Sequence, residues 1–277
     1  MNTFQLIKTV LEEAYGEIPG DEAERDAAVA EELSKLSEEY KDLLNNGCLD
    51  YSDPARRFAY LFRYTTSHAN LVYSRIGLSR RLANLFDGER VVVSCVGGGP
   101  GSDFLGILKY CLRNRKSPEL KCQILDRDPA WGESWSDVDD KLRSTLRIST
   151  VFFPFDVTEA DNWGRFSKHF SADLFTLIYF MSEVYAKRDL AEDYFSTLMS
   201  RMKDGAVLLY VDNNDSRFQD WFDRLARDNG LRIVSSNGGW ETLPWDEDKD
   251  DLQPYLDKFG PPKLRANISW RLGVKGK

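Results

Sequence analysis

One stretch limits what this chain can become. Val91-Val92-Val93-Ser94-Cys95-Val96 runs directly into Gly97-Gly98-Gly99-Pro100-Gly101, and Ser102-Asp103 follows. A continuous apolar run reads as a strand covered on both faces, as in a parallel sheet. Parallel strands need crossover connections, usually helices. Glycines are needed in the turn because some positions require positive φ and a side chain would hold a ligand off the backbone. The helix expected from Ser102 to Asn114 begins with free N–H groups and a partial positive charge of about half a unit.

The alternation continues downstream. Further strands are expected at Lys121 to Leu125, Arg147 to Phe153, Leu174 to Phe180, Ala206 to Val211, Leu231 to Ser235 and Ile268 to Val274. Helices are expected from Arg188 to Lys203, ended by Gly205, and from Ser216 to Arg227. This rhythm predicts an α/β fold with a doubly wound, mostly parallel seven-stranded sheet over residues 89–277.

Residues 1–88 read instead as an N-terminal helical region, a cap or a substrate-binding element. Leu33, Leu36, Tyr40, Leu43 and Leu44 recur at helical steps after the turn Ile18-Pro19-Gly20-Asp21, and Asn45-Asn46-Gly47 reads as a stop. Asp53 and Pro54 suit a cap and a first helical turn. The helix they start runs to Gly77 and sets Tyr60, Tyr64 and His68 on one face. A short helix from Ser79 to Phe86 follows.

The chain carries 37 Lys plus Arg against 45 Asp plus Glu, a net charge of −8, which argues against nucleic acid held by charge alone. A local basic patch from Arg56, Arg57, Arg75, Arg80 and Arg81 is the exception to look for. With only His68 and His169, and Cys48, Cys95, Cys111 and Cys122 forming no Cys-x-x-Cys pair, no metal site is expected and the cysteines read as small buried hydrophobes. Lys8, Glu12 and Glu13 interrupt any signal-peptide core. No segment approaches the roughly 20 apolar residues of a membrane span. A soluble protein of the cytoplasm, or of the nucleus, is expected, with no membrane partner.

The spacing Gly97-x-Gly99-x-Gly101 after a buried strand resembles motif I of the class I S-adenosylmethionine (SAM) methyltransferases. The resemblance covers 90–277 and implies SAM as cofactor. It implies that Gly97, Gly98, Gly99 and Gly101 pack against the methionyl and ribose part. It implies that Asp126, after the second strand, accepts from both ribose hydroxyls, with Asp128 as fallback or as a helix cap. Asp156 and Val157, after the third strand, would hold the adenine. The family's sheet also ends in a reversed C-terminal hairpin, matched here by the last two strands and the interval from Ser236 to Asn267.

In open α/β sheets ligands bind outside the C-terminal strand ends. Phe180-Met181-Ser182-Glu183-Val184-Tyr185, after the fourth strand, is therefore where acceptor and methyl group would meet. Methyl transfer needs alignment and, for some acceptors, removal of a proton. Glu183 is the candidate for proton abstraction or acceptor orientation, Tyr185 a second catalytic candidate, and Ser182 a cofactor contact. Tyr64, or an Arg of its helix, is a candidate for the methionyl carboxylate. The segment lacks the Asn/Asp-Pro-Pro-Tyr of many enzymes that methylate amino groups of bases or glutamine. No Cys follows strand four or five to support attack on cytosine C5.

Gly238 to Trp245 and the acidic run Asp246 to Asp251 read as an insertion, its two tryptophans anchoring the loop and its acids solvated. Facing the substrate, those acids would favour a cation over RNA. The acceptor stays open among small molecule, protein and RNA, as does oligomeric state. Two other readings remain. One is a SAM-binding sensor or partner-binding module without catalysis. The other is an NAD(P)-dependent oxidoreductase, against which the sixth residue from Gly97 is Ser102 and no Tyr-x-x-x-Lys pair occurs at Tyr185 or Tyr194.

Overall fold

The structure, a computed structural model, describes residues 2–40, 49–142, 146–243 and 247–276. Seven strands form one sheet: β1 (Arg90–Val96), β2 (Glu119–Asp126), β3 (Ile148–Pro154), β4 (Leu174–Ile178), β5 (Val207–Asn213), β6 (Leu231–Thr242) and β7 (Arg265–Lys275), in the order β3-β2-β1-β4-β5-β7-β6. β1 to β5 pair in parallel. β7 inserts antiparallel between β5 and β6. Consecutive strands step outward from β1 to β3, then the chain returns to the other side of β1 with β4. That reversal leaves a crevice above the C-terminal ends of β1 and β4, where the candidate site lies.

The N-terminal region is helical: α1 (Thr3–Glu17), α2 (Glu22–Glu39), α3 (Pro54–Tyr60), α4 (Thr66–Leu78) and α5 (Arg80–Leu85), with a π-helical turn over Leu61–Thr65 joining α3 to α4. The starts are those written in the sequence. Asp21 and Glu24 form a capping box at α2, and Asp53 accepts from Ala55 N at 2.7 Å at α3. α4 lies against α6 (Ser102–Arg113), the helix that leaves the glycine turn. Gly106 permits this contact, since a Cβ there would stand 2.2 Å from the Ala69 carbonyl oxygen. Phe4, Val10, Phe58, Leu71 and Val72 thereby join Val91, Leu105 and Ile124 in one apolar core. A second core, around Phe175, Tyr194 and Phe222, fills the opposite face under α10 (Arg188–Arg201) and α11 (Ser216–Asp228). Between these lie α7 (Ala130–Leu142), α8 (Ala160–Arg165) and α9 (Phe180–Val184), and α12 (Gln253–Phe259) precedes β7.

Several expectations change. The last two strands run far past their predicted ends, pairing as far as Thr242 with Arg265, so Gly238, Gly239 and Trp240 belong to the hairpin and not to an insertion. Trp240 does not anchor a loop: it is 65% exposed, with the Arg265 guanidinium over its ring. Glu247 leaves the expected solvated acidic face. It is buried beside the Lys109 ammonium at 2.6 Å and accepts from Thr3 N at 3.0 Å, tying β6–β7 to α1 and α6. Three of the five arginines of the expected basic patch are engaged by acids: Arg56 pairs with Glu32 and Glu39, Arg57 with Glu17, and Arg75 with Glu241. Cys95, Cys111 and Cys122 are buried, with the Cys95 and Cys122 sulfurs 3.8 Å apart. Cys48, Leu43, Leu44, the Asn45-Asn46-Gly47 stop and Trp245 lie outside the described residues. No described helix is long and apolar enough to cross a membrane. Among the described residues no cluster of three or more His, Cys, Asp or Glu could hold a metal ion.

Candidate functional site

The glycine turn takes the backbone form its sequence demands. Gly97, Gly99 and Gly101 have φ of +66°, +48° and +81°. Gly97 N and Gly98 N both donate to Leu125 O, which fastens the turn to the end of β2. The four glycines serve different ends. A Cβ on Gly98 would stand 2.9 Å from Cys95 Cβ and 3.0 Å from Ile124 Cγ2, so this residue packs down on the sheet. A Cβ on Gly97 would enter the Phe180 ring, and one on Gly101 the Trp135 ring, at 2.0 and 2.1 Å. Gly99 alone of the four has room above it, its nearest neighbours being the Asp126 carboxylate and Trp131 at 4.0 Å from a Cβ. Among the described residues no side chain caps α6, and the buried Ser102 hydroxyl in its first turn has no hydrogen-bond partner.

Asp126 ends β2 beside this turn. Its Oδ2 accepts from Gly99 N at 2.9 Å and its Oδ1 from Asp128 N at 3.1 Å. Each oxygen has a second lone pair to offer. Burial pushes the carboxyl up to about 6, against the pull of those two N–H groups. Asp128 is drawn into support: it accepts from Ala130 N at the start of α7 and from Tyr51 N at 2.9 Å. Asp156 accepts from the Thr158 amide and hydroxyl through one oxygen, at 2.8 and 2.7 Å, and lines the site together with Phe155 and Val157.

After β4 the backbone turns sharply. Tyr179 has φ of +57°, a strained value for a residue with a side chain, and the chain enters α9. Ser182 N donates to Asp212 Oδ2 at 2.9 Å, and Ser182 Oγ to Tyr179 O at 3.1 Å. Ser182 is thus fully buried holding the turn and does not line the pocket. Tyr185 points elsewhere too, its ring packed on Phe218 and Trp221. Glu183 faces the pocket. Burial pushes its carboxyl up to about 8, the Asp126 and Asp212 charges raise it further, and the Tyr40 hydrogen bond and Arg127 oppose the rise. Burial also raises Asp103 to about 7 and Asp212 to about 6.

The N-terminal region closes the remaining side. Tyr40 donates from its hydroxyl to Glu183 Oε1 at 2.7 Å, and the Tyr40 and Tyr51 hydroxyls are 2.9 Å apart. Tyr51, Tyr60 and Trp131 pack ring on ring at 4.8 to 5.2 Å. Tyr64 bridges Tyr40, Tyr60 and His68 in this cluster, behind the pocket wall. The face shared by Tyr60, Tyr64 and His68 therefore exists and points at the sheet. His68 stacks on Tyr179 at 4.5 Å, and burial with the nearby Lys263 charge lowers its pKa to about 3, so it stays neutral.

The pocket enclosed by these groups is a cavity of about 50 Å³. Its floor and sides are Asp126, Asp128, Phe155, Asp156, Val157, Phe180, Glu183 and Val184, and its outer wall is Leu49, Tyr51 and Arg127. Ligand pockets usually run to about 300–1,000 Å³, so the cavity as it stands is smaller than a nucleoside-sized ligand fills. Of the residues singled out from the sequence, Asp126, Asp128, Asp156, Val157 and Glu183 line this pocket, and Phe180 opens the segment placed there. Tyr51 as wall and Tyr40 as the partner of Glu183 were not singled out. The run of polar and turn residues before Asp53 gave Tyr51 no periodic pattern, and Tyr40 carried only the signature of a packed helix face.

The order of the strands, with β7 reversed between β5 and β6, decides the architecture. The chain has the Rossmann-like fold of the class I SAM-dependent methyltransferases. No protein-family model matches the chain, and no curated protein matches it by sequence. Solved structures do resemble it. A protein of Pyrococcus horikoshii, provisionally described as an RNA methyltransferase, is 13% identical with a TM-score of 0.47, covering 87% of this chain and 99% of that one. A SAM-dependent methyltransferase of Methanosarcina mazei is 10% identical with a TM-score of 0.42, covering 72% of this chain and 98% of that one. A precorrin-6y C5,15-methyltransferase of Geobacter metallireducens is 12% identical with a TM-score of 0.44, covering 70% and 85%. At these identities and scores the likeness carries nothing about substrate or site, and this chain's own strand order carries the architecture.

Proposed function

We propose that the chain is a SAM-dependent methyltransferase. The observation that carries the reading is Asp126: it ends β2, is bonded to Gly99 in the glycine turn, and turns unused acceptor capacity toward the pocket. A ribose, with two neighbouring hydroxyl donors, suits that carboxylate. The uncapped start of α6 and the unpartnered Ser102 hydroxyl suit the methionyl carboxylate, since a helix N-terminus favours an anion. Asp156, Val157 and Phe155 offer one polar group and two apolar surfaces for the adenine. The residues present thus fit the cofactor, whose bound form supplies a methyl group on a positively charged sulfur.

The chain's own part is to bind, align and manage a proton. Glu183 stands in α9, just past the end of β4, the strand next to β1, where an acceptor would approach from the side of the N-terminal helices. Its raised pKa suits a group that takes up a proton near neutral pH. The rings of Tyr51, Tyr60 and Trp131 keep water from that side. Calorimetric titration with SAM and S-adenosylhomocysteine (SAH), with NADH as control, tests the reading. Both sulfur nucleotides should bind the native chain, and Asp126→Ala should weaken them by roughly 10- to 100-fold, the worth of one or two hydrogen bonds to a charged group. Binding of NADH in their place, or equal SAH affinity in a folded Asp126→Ala chain, would remove it.

A further inference from the structure

We propose that the methyl acceptor is an aliphatic amine, held as its ammonium form against Glu183 beside the Tyr40 and Tyr51 hydroxyls. The inference rests on the methyltransferase reading of this same site and adds the class of substrate to it.

Charge is the first ground. The pocket is lined by Asp126, Asp128, Asp156 and Glu183 against one cation, Arg127, whose guanidinium is already engaged with Leu49 O at 2.6 Å. Among the described residues no ion pair neutralises Asp126, Asp156 or Glu183. Phosphate and carboxylate acceptors are repelled by such a lining, and a cation is drawn into it. Tyr51 lines the pocket, and Tyr40 reaches it through its hydroxyl on Glu183.

The second ground is what each nucleophile must become. A phenol, alcohol or thiol gains nucleophilic strength by turning into an anion, which the surrounding carboxylates oppose. An ammonium loses a proton to become neutral, a loss the same carboxylates also oppose, so it needs a carboxylate within reach to take that proton. The step balances within the chain. One N–H bond of the ammonium breaks, its electron pair stays on nitrogen, and an O–H bond forms on the Glu183 carboxylate. The Tyr40 and Tyr51 hydroxyls continue a line of donors and acceptors from Glu183. Burial makes Glu183 the stronger base when ionised, and an ammonium beside it favours the ionised form.

The test titrates the full chain, saturated with SAH, with three probes of one shape: phenethylamine, phenethyl alcohol and hydrocinnamate. The amine should bind roughly tenfold or more tightly than the alcohol or the acid, the size of one charge-assisted hydrogen bond. Glu183→Gln, with SAH affinity retained as proof of an intact fold, should cut that preference to within about twofold. Equal binding of the three probes, preference for hydrocinnamate, no binding of any, or a preference untouched by Glu183→Gln would each overturn the amine. Failure of SAH to bind the native chain overturns the methyltransferase reading and the inference with it. SAH binding without amine preference removes the inference alone.

Discussion

Replacing Glu183 by Gln should make the fold more stable in alkaline solution while leaving it unchanged in acid. The carboxyl rises from an ordinary 4.5 to about 8 in the folded chain, chiefly through burial. Between those two values the folded chain holds more proton than the unfolded one, so stability falls as pH rises through that window. Above about 8 the loss is complete; below about 4.5 both states are protonated and there is none. A rise of that size corresponds to a ceiling near 5 kcal/mol at about 1.36 kcal/mol per pH unit. Glu183 is half-buried and its charge is coupled to that of Asp126, which brings the expected gain down to about 2 kcal/mol. Gln keeps an oxygen for the Tyr40 hydroxyl, so that hydrogen bond is not lost. Thermal and urea unfolding of both chains from pH 5 to pH 9 is the assay. The midpoints should coincide near pH 5 and part as pH rises, reaching about 4–8 °C at pH 9. Parallel pH curves, or a variant less stable at pH 9, would refute the reasoning.

Two further substitutions probe how the site is held. Gly101→Ala places a Cβ 2.1 Å from the Trp135 ring at a φ of +81°. It should cost about 2–4 kcal/mol in urea unfolding from strain and overpacking together, and a cost under about 0.5 would mean that the turn is not rigidly fixed. Lys109→Met leaves Glu247 buried without its ammonium and should cost about 3–5 kcal/mol. Adding Glu247→Leu should restore most of that loss, and a double variant no better than the single one would show that the pair is not the cause.

Local signals carried much of the architecture. The β-branched run from Val91 to Val96, the three left-handed glycines, the Asp53 cap and the apolar strands at Leu174 and Val207 are each decided within a few residues, so they could be read in order along the chain. Asp126 was singled out through the family resemblance, from its place just past Ile124-Leu125 at the end of the second strand. The reach of β6 and β7 was not, because polar residues such as Ser236, Asn237 and Asn267 extend the hairpin through backbone pairing and not through an apolar pattern.

The roles of individual side chains depended on partners far away in sequence. Glu183 meets Tyr40 across 143 positions, and Glu247 meets Thr3 across 244. No periodicity records such a meeting. Ser182 and Tyr185, close to Glu183 in sequence, read as second-rank site residues. The tight turn at Tyr179 sends only Glu183 into the pocket, burying Ser182 on Asp212 and laying Tyr185 against Trp221. The sequence by itself determined the strands, the glycine turn and the carboxylate beside it, since these follow from backbone preference and apolar alternation. The tertiary structure alone decided which acids are buried together, which aromatic rings wall them in, and how high their pKa values rise. Those properties come from the exclusion of water by distant segments, which only the packed chain brings into contact.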